Sequence, residues 1–350
     1  MNIQLFCFSV ILLWLSSAGY AQEPAPKVGW HRFKGDDRST GRSGIVAAQE
    51  AHVRWKLRIG TWSGSPAIGP DGTIYFCSDL SRFTAVRPDG TEKWVFKLPA
   101  SSPPPDLRPG DVAEWREHKA GGSTATHAPA IASDGTVYFG VTFHPAQPPA
   151  DAKLGLYALS PEGRVKWLFA TPDEVTSSPN IGTDGVLYFA TTSAIHAVNP
   201  DGSSKWSQPR GGKPVRWSSP AIGKDGTVYV VGERLLALHP NGTLAWSYAP
   251  VSGPLRGFAS HPAVGIDGVV YFGVGHELYA VHPDGKEKWV RRIGWTESSP
   301  AIAADGTLYI GTGSQQDEAA KFCALDAQDG TFKCPFGVVG RHSLYLQVEA

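Results

Sequence analysis

One phrase recurs six times along this chain. SPAIGPDGTIYF begins at Ser65, and close copies follow as APAIASDGTVYF from Ala128, SPNIGTDGVLYF from Ser178, SPAIGKDGTVYV from Ser219, HPAVGIDGVVYF from His261 and SPAIAADGTLYI from Ser299. Each copy runs on into a second phrase, FTAVRPDGTEKW in the first repeat and LYALSPEGRVKW, IHAVNPDGSSKW, LLALHPNGTLAW and LYAVHPDGKEKW in the next four. The sixth, FCALDAQDGTFKC, has Cys334 where the others carry tryptophan. Asp-Gly between alternating apolar residues is the strongest short hairpin signal, because both positions of a two-residue turn accept positive φ. Each repeat therefore predicts four antiparallel strands, and the chain an all-β fold.

Repeats of about 40 residues with four strands have the size of a propeller blade. A lone blade cannot bury both faces of its sheet, so blades must stack side by side around an axis. Ser-Pro-Ala fits this picture: its proline opens the innermost strand, an edge with no ladder partner for the missing N–H. Counting outward from a two-residue Asp89-Gly90 turn pairs Arg87 with Glu92 and Ala85 with Trp94. The same count sets a small residue against a large one at Ala158 and Trp167, Ala197 and Trp206, Ala237 and Trp246, and Ala280 and Trp289. Trp55, Trp94, Trp167, Trp206, Trp246 and Trp289 are accordingly read as structural, each indole covering its alanine and the neighbouring blade.

The A-x-x-x-D-G-x-x-x-W pattern, joined to S-P-A-I-x-x-D-G-T-x-Y, resembles the pyrroloquinoline-quinone-like (PQQ-like) β-propeller repeat over Val53 to Cys334. That repeat occurs in quinoprotein dehydrogenases, in the lipoprotein subunit of the outer-membrane barrel assembly machinery and in exported bacterial proteins of unassigned role. Trp30 to Gly44 (WHRFKGDDRSTGRSG) resembles a lead-in common in the last group. The repeat encodes blade packing, not chemistry. Val53 to Leu57 reads as a fourth strand that has lost its own blade. Beyond Cys334 the pattern fails, with one strand expected around Leu344 to Val348, so the ring has either six blades plus extra strands or seven with a defective last one.

Leu5 to Leu15 is an apolar run followed by small residues and Gly19-Tyr20-Ala21. This predicts a secretory signal peptide over residues 1–21, too short to span a membrane, although no Lys or Arg precedes Lys27. The lead-in then covers 22–52, the propeller 53–334 and an off-pattern tail 335–350. The 32 basic and 32 acidic residues cancel, leaving no electrostatic footprint for nucleic acid or anionic membrane. Three cysteines remain after cleavage, too few for a disulfide scaffold. The hairpin count sets Cys323 and Cys334 on opposite faces. A monomer is expected.

Both Asp-Gly turns of a blade must emerge at one end of its strands, and the variable connections at the other. Variable loops on a rigid scaffold are where binding resides. Three insertions mark that end: Pro99 to Thr126, with a short helix predicted from Asp111 to Lys119, His144 to Gly155, and Gly311 to Lys321. The residues leading into the innermost strands join them: Trp62, Glu174, Arg216, Trp217, Arg256, Phe258, Trp295 and Glu297, with His127 and His261 nearer the strand. Aromatics beside fixed charges are the composition of a ligand or partner site, or else of blade packing with solvated charges. The sequence thus predicts an exported, non-catalytic scaffold binding a protein, peptide or small ligand, with no cofactor and no metal.

The resemblance also implies an alternative, a PQQ-dependent dehydrogenase with calcium polarising the quinone. Against it stand the short chain, no adjacent-cysteine pair, no C-x-x-C-H haem motif and no Glu, Asn and Asp set that can be placed residue by residue. A glycoside-acting propeller would need two carboxylates about 5–9.5 Å apart, for which Glu174 and Glu297 qualify by position alone.

Overall fold

The repeats fold into strands as their spacing predicts, with a correction at the turns. In a computed structural model the residues described are 34–36, 38–43, 53–57, 64–78, 82–97, 122–124, 127–144, 153–209, 218–249, 259–296, 298–313, 321–337 and 348–349. At the second turn of the first repeat, Gly90 N–H donates to Arg87 O at 2.9 Å and Arg87 N–H to Thr91 O at 2.8 Å. Arg87 therefore faces Thr91, not Glu92, and the turn has three residues, Pro88-Asp89-Gly90. Only the glycine is left-handed, at φ +88°. The aspartate keeps negative φ because its carboxylate is pinned forward: Asp89 Oδ1 accepts from the Thr91 N–H at 2.9 Å and from its hydroxyl at 2.7 Å, an Asx-type turn. A register shift between Ala85 and Val86 then restores the count, so Ala85 does stand opposite Trp94.

The strands, in chain order, are β1 (Arg42–Ser43), then blade 1 with β2 (Ala67–Ile68), β3 (Ile74–Ser78), β4 (Arg82–Val86) and β5 (Glu92–Lys97), then β6 (Gly122–Thr124). Blade 2 has β7 (Ala130–Ile131), β8 (Val137–His144), β9 (Gly155–Leu159) and β10 (Val165–Ala170), and blade 3 has β11 (Asn180–Ile181), β12 (Leu187–Ala190), β13 (Ala194–Val198) and β14 (Ser204–Pro209). Blade 4 comprises β15 (Ala221–Ile222), β16 (Val228–Val231), β17 (Leu235–Leu238) and β18 (Leu244–Tyr248). Blade 5 comprises β19 (Ala263–Val264), β20 (Val270–Val274), β21 (Glu277–Val281) and β22 (Glu287–Arg292). Blade 6 comprises β23 (Ala301–Ile302), β24 (Thr307–Thr312), β25 (Lys321–Asp326) and β26 (Phe332–Gly337), and β27 (Val348–Glu349) follows. Within each blade consecutive strands pair antiparallel, and β6 adds to blade 2 by pairing with the far end of β8. The fold is an all-β propeller. The described residues fall into two compact units, one lying between Ala47 and Val175, the other between Trp30 and Val46 together with Thr176 onward.

A row of residues running straight across each sheet explains why the phrase must repeat. In blade 1, Ala67 pairs with Tyr75, Tyr75 with Ala85 and Ala85 with Trp94, so small and large side chains alternate over the four strands. The alanine leaves space for the flanking rings to meet, with Tyr75 and Trp94 centroids 5.8 Å apart. The same Tyr–Ala–Trp row gives 5.6 Å in blade 2, 5.9 Å in blade 3, 5.8 Å in blade 4 and 5.9 Å in blade 5. Ala237, fully buried, sits between Tyr229 and Trp246. Ala237→Leu should therefore destabilise by about 1–3 kcal/mol through overpacking, read as a shifted denaturation midpoint; an unshifted midpoint would refute the row as a close-packed unit.

Five of the indoles also dock on a following turn. The Trp94 Nε1–H donates to Pro161 O at 2.8 Å, Trp206 to Pro240 O at 2.9 Å, Trp246 to Pro283 O at 2.7 Å and Trp289 to Ala327 O at 3.2 Å. Trp55 does the same to Pro88 O at 3.0 Å. Yet residues 53–57 join no sheet among the described residues, so the fourth strand expected there is not observed; Trp55 docks without one. Blade 6 ends the series with Cys334 opposite Ala324 and Pro335 opposite Cys323. Of the tail strand expected around Leu344 to Val348, the described part is β27, which pairs in parallel with β1. The signal-peptide residues 1–21 and the Asp111 to Lys119 helix lie outside the described residues.

Candidate functional site

The turn end of the blades is taken up by its own structure. Asp71 Oδ2 accepts from the Thr73 hydroxyl at 2.8 Å and lies 3.0 Å from Lys93 Nζ, and Lys205 reaches Asp184 at 3.2 Å in the same relation. Hydrogen bonds from Thr91, hydroxyl first and amide second, hold the Asp89 carboxyl below its usual range, and the amide and hydroxyl of Thr307 do so for Asp305. These aspartates serve their turns.

The opposite end is built on paired residues that lead into each innermost strand. Ser177, Ser218, Ser260 and Ser298 are buried, and each Oγ accepts a second-strand N–H of its own blade, from Ala190, Val231, Gly273 and Gly311, at 2.8 Å in every case. The next residue reaches sideways. Ser178 N–H donates to Ser219 Oγ at 2.9 Å, Ser219 N–H to His261 Nδ1 at 2.6 Å and His261 N–H to Ser299 Oγ at 3.0 Å. This belt ties blades 3 to 6. Sequence reading did not assign it, although the signal was present as Ser177-Ser178-Pro179, Ser218-Ser219-Pro220, Ser260-His261-Pro262 and Ser298-Ser299-Pro300. His261 thus serves as an acceptor in the belt. His261→Ala should cost about 1–3 kcal/mol by orphaning the Ser219 amide, whereas His261→Ser, the residue other repeats carry, should recover most of it; equal losses in the two variants would remove the assignment.

Of the eight loop-end candidates, two are described. Glu174 is half-buried in the first unit, beside Val175, whose side chain fills the space over Gly140. Trp295 lies in the second unit with its ring edge-on to His276 at 5.4 Å, and its carbonyl accepts from Gly313 N–H at 2.7 Å. Trp62, Arg216, Trp217, Arg256, Phe258 and Glu297 lie outside the described residues. The insertion ahead of blade 2 does contribute ordered structure here: Gly122 pairs with His144 and Thr124 with Thr142, at the loop end of β8.

A second feature the sequence did not assign is the seat of the lead-in. Val264 N–H donates to Arg38 O at 2.9 Å and Ile302 N–H to Thr40 O at 2.8 Å. Lys34 Nζ donates to Pro300 O, Asp36 Oδ1 accepts from Thr40 N–H at 2.9 Å, and a Cβ on Gly41 would lie 3.2 Å from the Ala301 methyl. Burial pushes the Lys34 ammonium down to about 7, with Asp36 opposing. Lys34 and Ser39, at φ +59° and +55°, are the two non-glycine residues with positive φ among those described. Residues 34–36 and 38–41 are therefore held in one defined course over the inner edges of blades 5 and 6.

Among the described residues no three His, Cys, Asp or Glu side chains converge, and the repeat aspartates are engaged within their turns. No helix among these residues is long and apolar enough to cross a membrane.

Comparison with solved structures gives the same fold. BamB from Moraxella catarrhalis superposes with a TM-score of 0.55 at 14% identity, covering 81% of this chain and 75% of that one. A europium-containing methanol dehydrogenase gives 0.55 at 13%, covering 90% and 86%, and selenomethionine-substituted virginiamycin B lyase from Staphylococcus aureus 0.51 at 16%, covering 82% and 85%. At such identities the likeness is one of architecture. No curated protein sequence matches the chain. The model of the family described as outer membrane protein assembly factor BamB matches residues 106–333. With its repeat, its blades and that match in agreement, the chain belongs to this PQQ-like propeller family.

Proposed function

We propose that the protein is an exported, non-catalytic propeller that binds a partner protein, peptide or small ligand at the loop end of its blades. One observation carries this reading: the two ends of the strands differ. At the turn end every blade repeats the first-turn aspartate, four of the six follow it with threonine and five place a lysine on the fourth strand, while the loop end carries the insertions, including the ordered β6 on β8. A near-uniform end suits a scaffold, and a variable end suits recognition. Trp295, in the second unit, offers an aromatic at the loop end of its own blade, and Glu174, in the first, a carboxylate at the loop end of its own; these residue types anchor interfaces and orient ligands. A family described by an outer-membrane assembly factor supports both an envelope location and a protein partner. We infer no resident cofactor, and a monomer.

The test places a photoreactive amino acid at Trp295, and in a second variant at Asp201 of a turn. Cross-linking the two in cells of the source organism should capture a discrete partner from Trp295 and not from Asp201. Capture from both positions alike, or from Asp201 alone, would overturn the loop-end reading. Calorimetric titration of PQQ with and without calcium addresses the quinoprotein alternative: saturable, calcium-dependent heat would establish that alternative, and absence of heat is the expected result.

A further inference from the structure

Innermost strands use one edge for their ladder and leave the other bare. In blade 1, Gly69 N–H bonds Thr73 O and Ala67 stands opposite Tyr75, so Ile68 occupies the alternate, non-hydrogen-bonded position and directs its N–H away from β3. The antiparallel pattern requires this. Ile131, Ile181, Ile222, Val264 and Ile302 hold the same register in blades 2 to 6. Three of these six amides have acceptors: Ile181 uses the neighbouring Asn180 Oδ1 at 2.9 Å, while Val264 and Ile302 use Arg38 O and Thr40 O. Ile68, Ile131 and Ile222 have no acceptor among the described residues.

Arg38 and Thr40 are two residues apart, so one short stretch of backbone, turned through the left-handed Ser39 at φ +55°, bridges two successive blades, carbonyl i on one and carbonyl i+2 on the next. The following residue, Gly41, passes over Ala301, where a side chain would crowd the methyl. Blades 1 and 2 repeat this surface. Their inner strands β2 and β7 approach within 8 Å between Cα atoms, their edge amides belong to Ile68 and Ile131, and Ala130 stands where Ala301 does. We propose that the inner edges of blades 1 and 2 form a docking site for a peptide that presents carbonyls at i and i+2, a left-handed residue between them and glycine at i+3, in the manner of Arg38, Ser39, Thr40 and Gly41 on blades 5 and 6. Docking on bare sheet edges in this way draws affinity from main-chain hydrogen bonds and selectivity from what the passing side chains must avoid. The site does not depend on the loop-end reading, whose cross-linking test leaves these amides out of account.

The probe is the capped decapeptide KGDDRSTGRS, the sequence of residues 34–43, added to the full chain without its first 21 residues. Amide hydrogen exchange is read at four positions. In the free protein Ile68 and Ile131 should exchange at least about 100-fold faster than the bonded Val264 and Ile302 amides, and about 1 mM peptide should slow the first pair at least about tenfold. The same peptide with Gly41→Val should have no effect. Ile68→Pro, which removes an N–H the ladder does not use, should abolish the slowing at Ile131. Exchange at Ile68 and Ile131 already as slow as at Val264 would overturn the proposal, because the edge would then be occupied by the chain's own residues. Fast exchange that the peptide leaves unchanged would overturn it equally.

Discussion

Trp289→Ala should lower the stability of the protein by about 3–5 kcal/mol, and the loss should depend on a glycine 41 positions away in sequence. Trp289 is 6% exposed. Its ring meets Tyr271 at 5.9 Å, its N–H donates to Ala327 O at 3.2 Å, and its six-membered ring lies 2.8 Å from where a Cβ on Gly330 would stand. Truncation removes apolar burial, a ring pair and a hydrogen bond together. Gly330→Ala acts from the other side of the contact. At φ +71° a Cβ costs about 1–2 kcal/mol on its own, and displacing the indole adds about 1–3 kcal/mol. Once Trp289 is alanine the second part of that cost disappears. A double-mutant cycle should return a coupling of about 0.5–3 kcal/mol, with urea midpoints as the measurement. Additive losses would mean that the indole and the turn do not share a seat. Trp246→Ala tests the same device over Gly285.

How far the sequence reveals this device depends on distance along the chain. The Ala–Trp pairs were legible because both members are fixed by hairpin register, and register is local: Ala85 meets Trp94 across nine residues; the tyrosine that completes the row was not read from the sequence. The turn itself was misread, because Asp-Gly signals a hairpin but not its loop length. What sets that length is the side chain two positions on, where Thr91 takes the aspartate and spares it a positive φ. The belt of serines was written plainly before each proline, but its partners lie about 40 residues apart in neighbouring blades, where a periodic sequence gives no contact by itself. The lead-in was harder still. Nothing in KGDDRSTGRS has strand periodicity, and its seat on Val264 and Ile302 is more than 200 residues away. For the site, Glu174 and Trp295 could be placed at the loop end from strand count alone, since strand direction alternates with certainty. What they touch depends on insertions that no repeat constrains.

That long-range seat leads to the second large effect. A chain beginning at Gly44 should be less stable than one beginning at Gln22 by about 2–6 kcal/mol. The range follows from the two edge amides, Val264 and Ile302, each of which loses its acceptor at about 1–3 kcal/mol if no water replaces it. Other contacts go with them: the Lys34 ammonium on Pro300 O and the Gly41 backbone against Ala301. Because Arg38 and Thr40 bridge blades 5 and 6, the loss should be concentrated there. Hydrogen exchange should quicken at Val264 and Ile302 in the shortened chain while the ladder amides of blade 1, such as Tyr75, stay slow. The milder variant Gly41→Val keeps every lead-in residue but one. It should give part of the loss, because valine must adopt φ +72° and meet the Ala301 methyl at 3.2 Å. Equal stability of the long and short chains would show that the lead-in only rests on the inner strands. A loss confined to blades 5 and 6 would instead make it a structural member of the propeller, one that completes hydrogen bonds the repeats leave open.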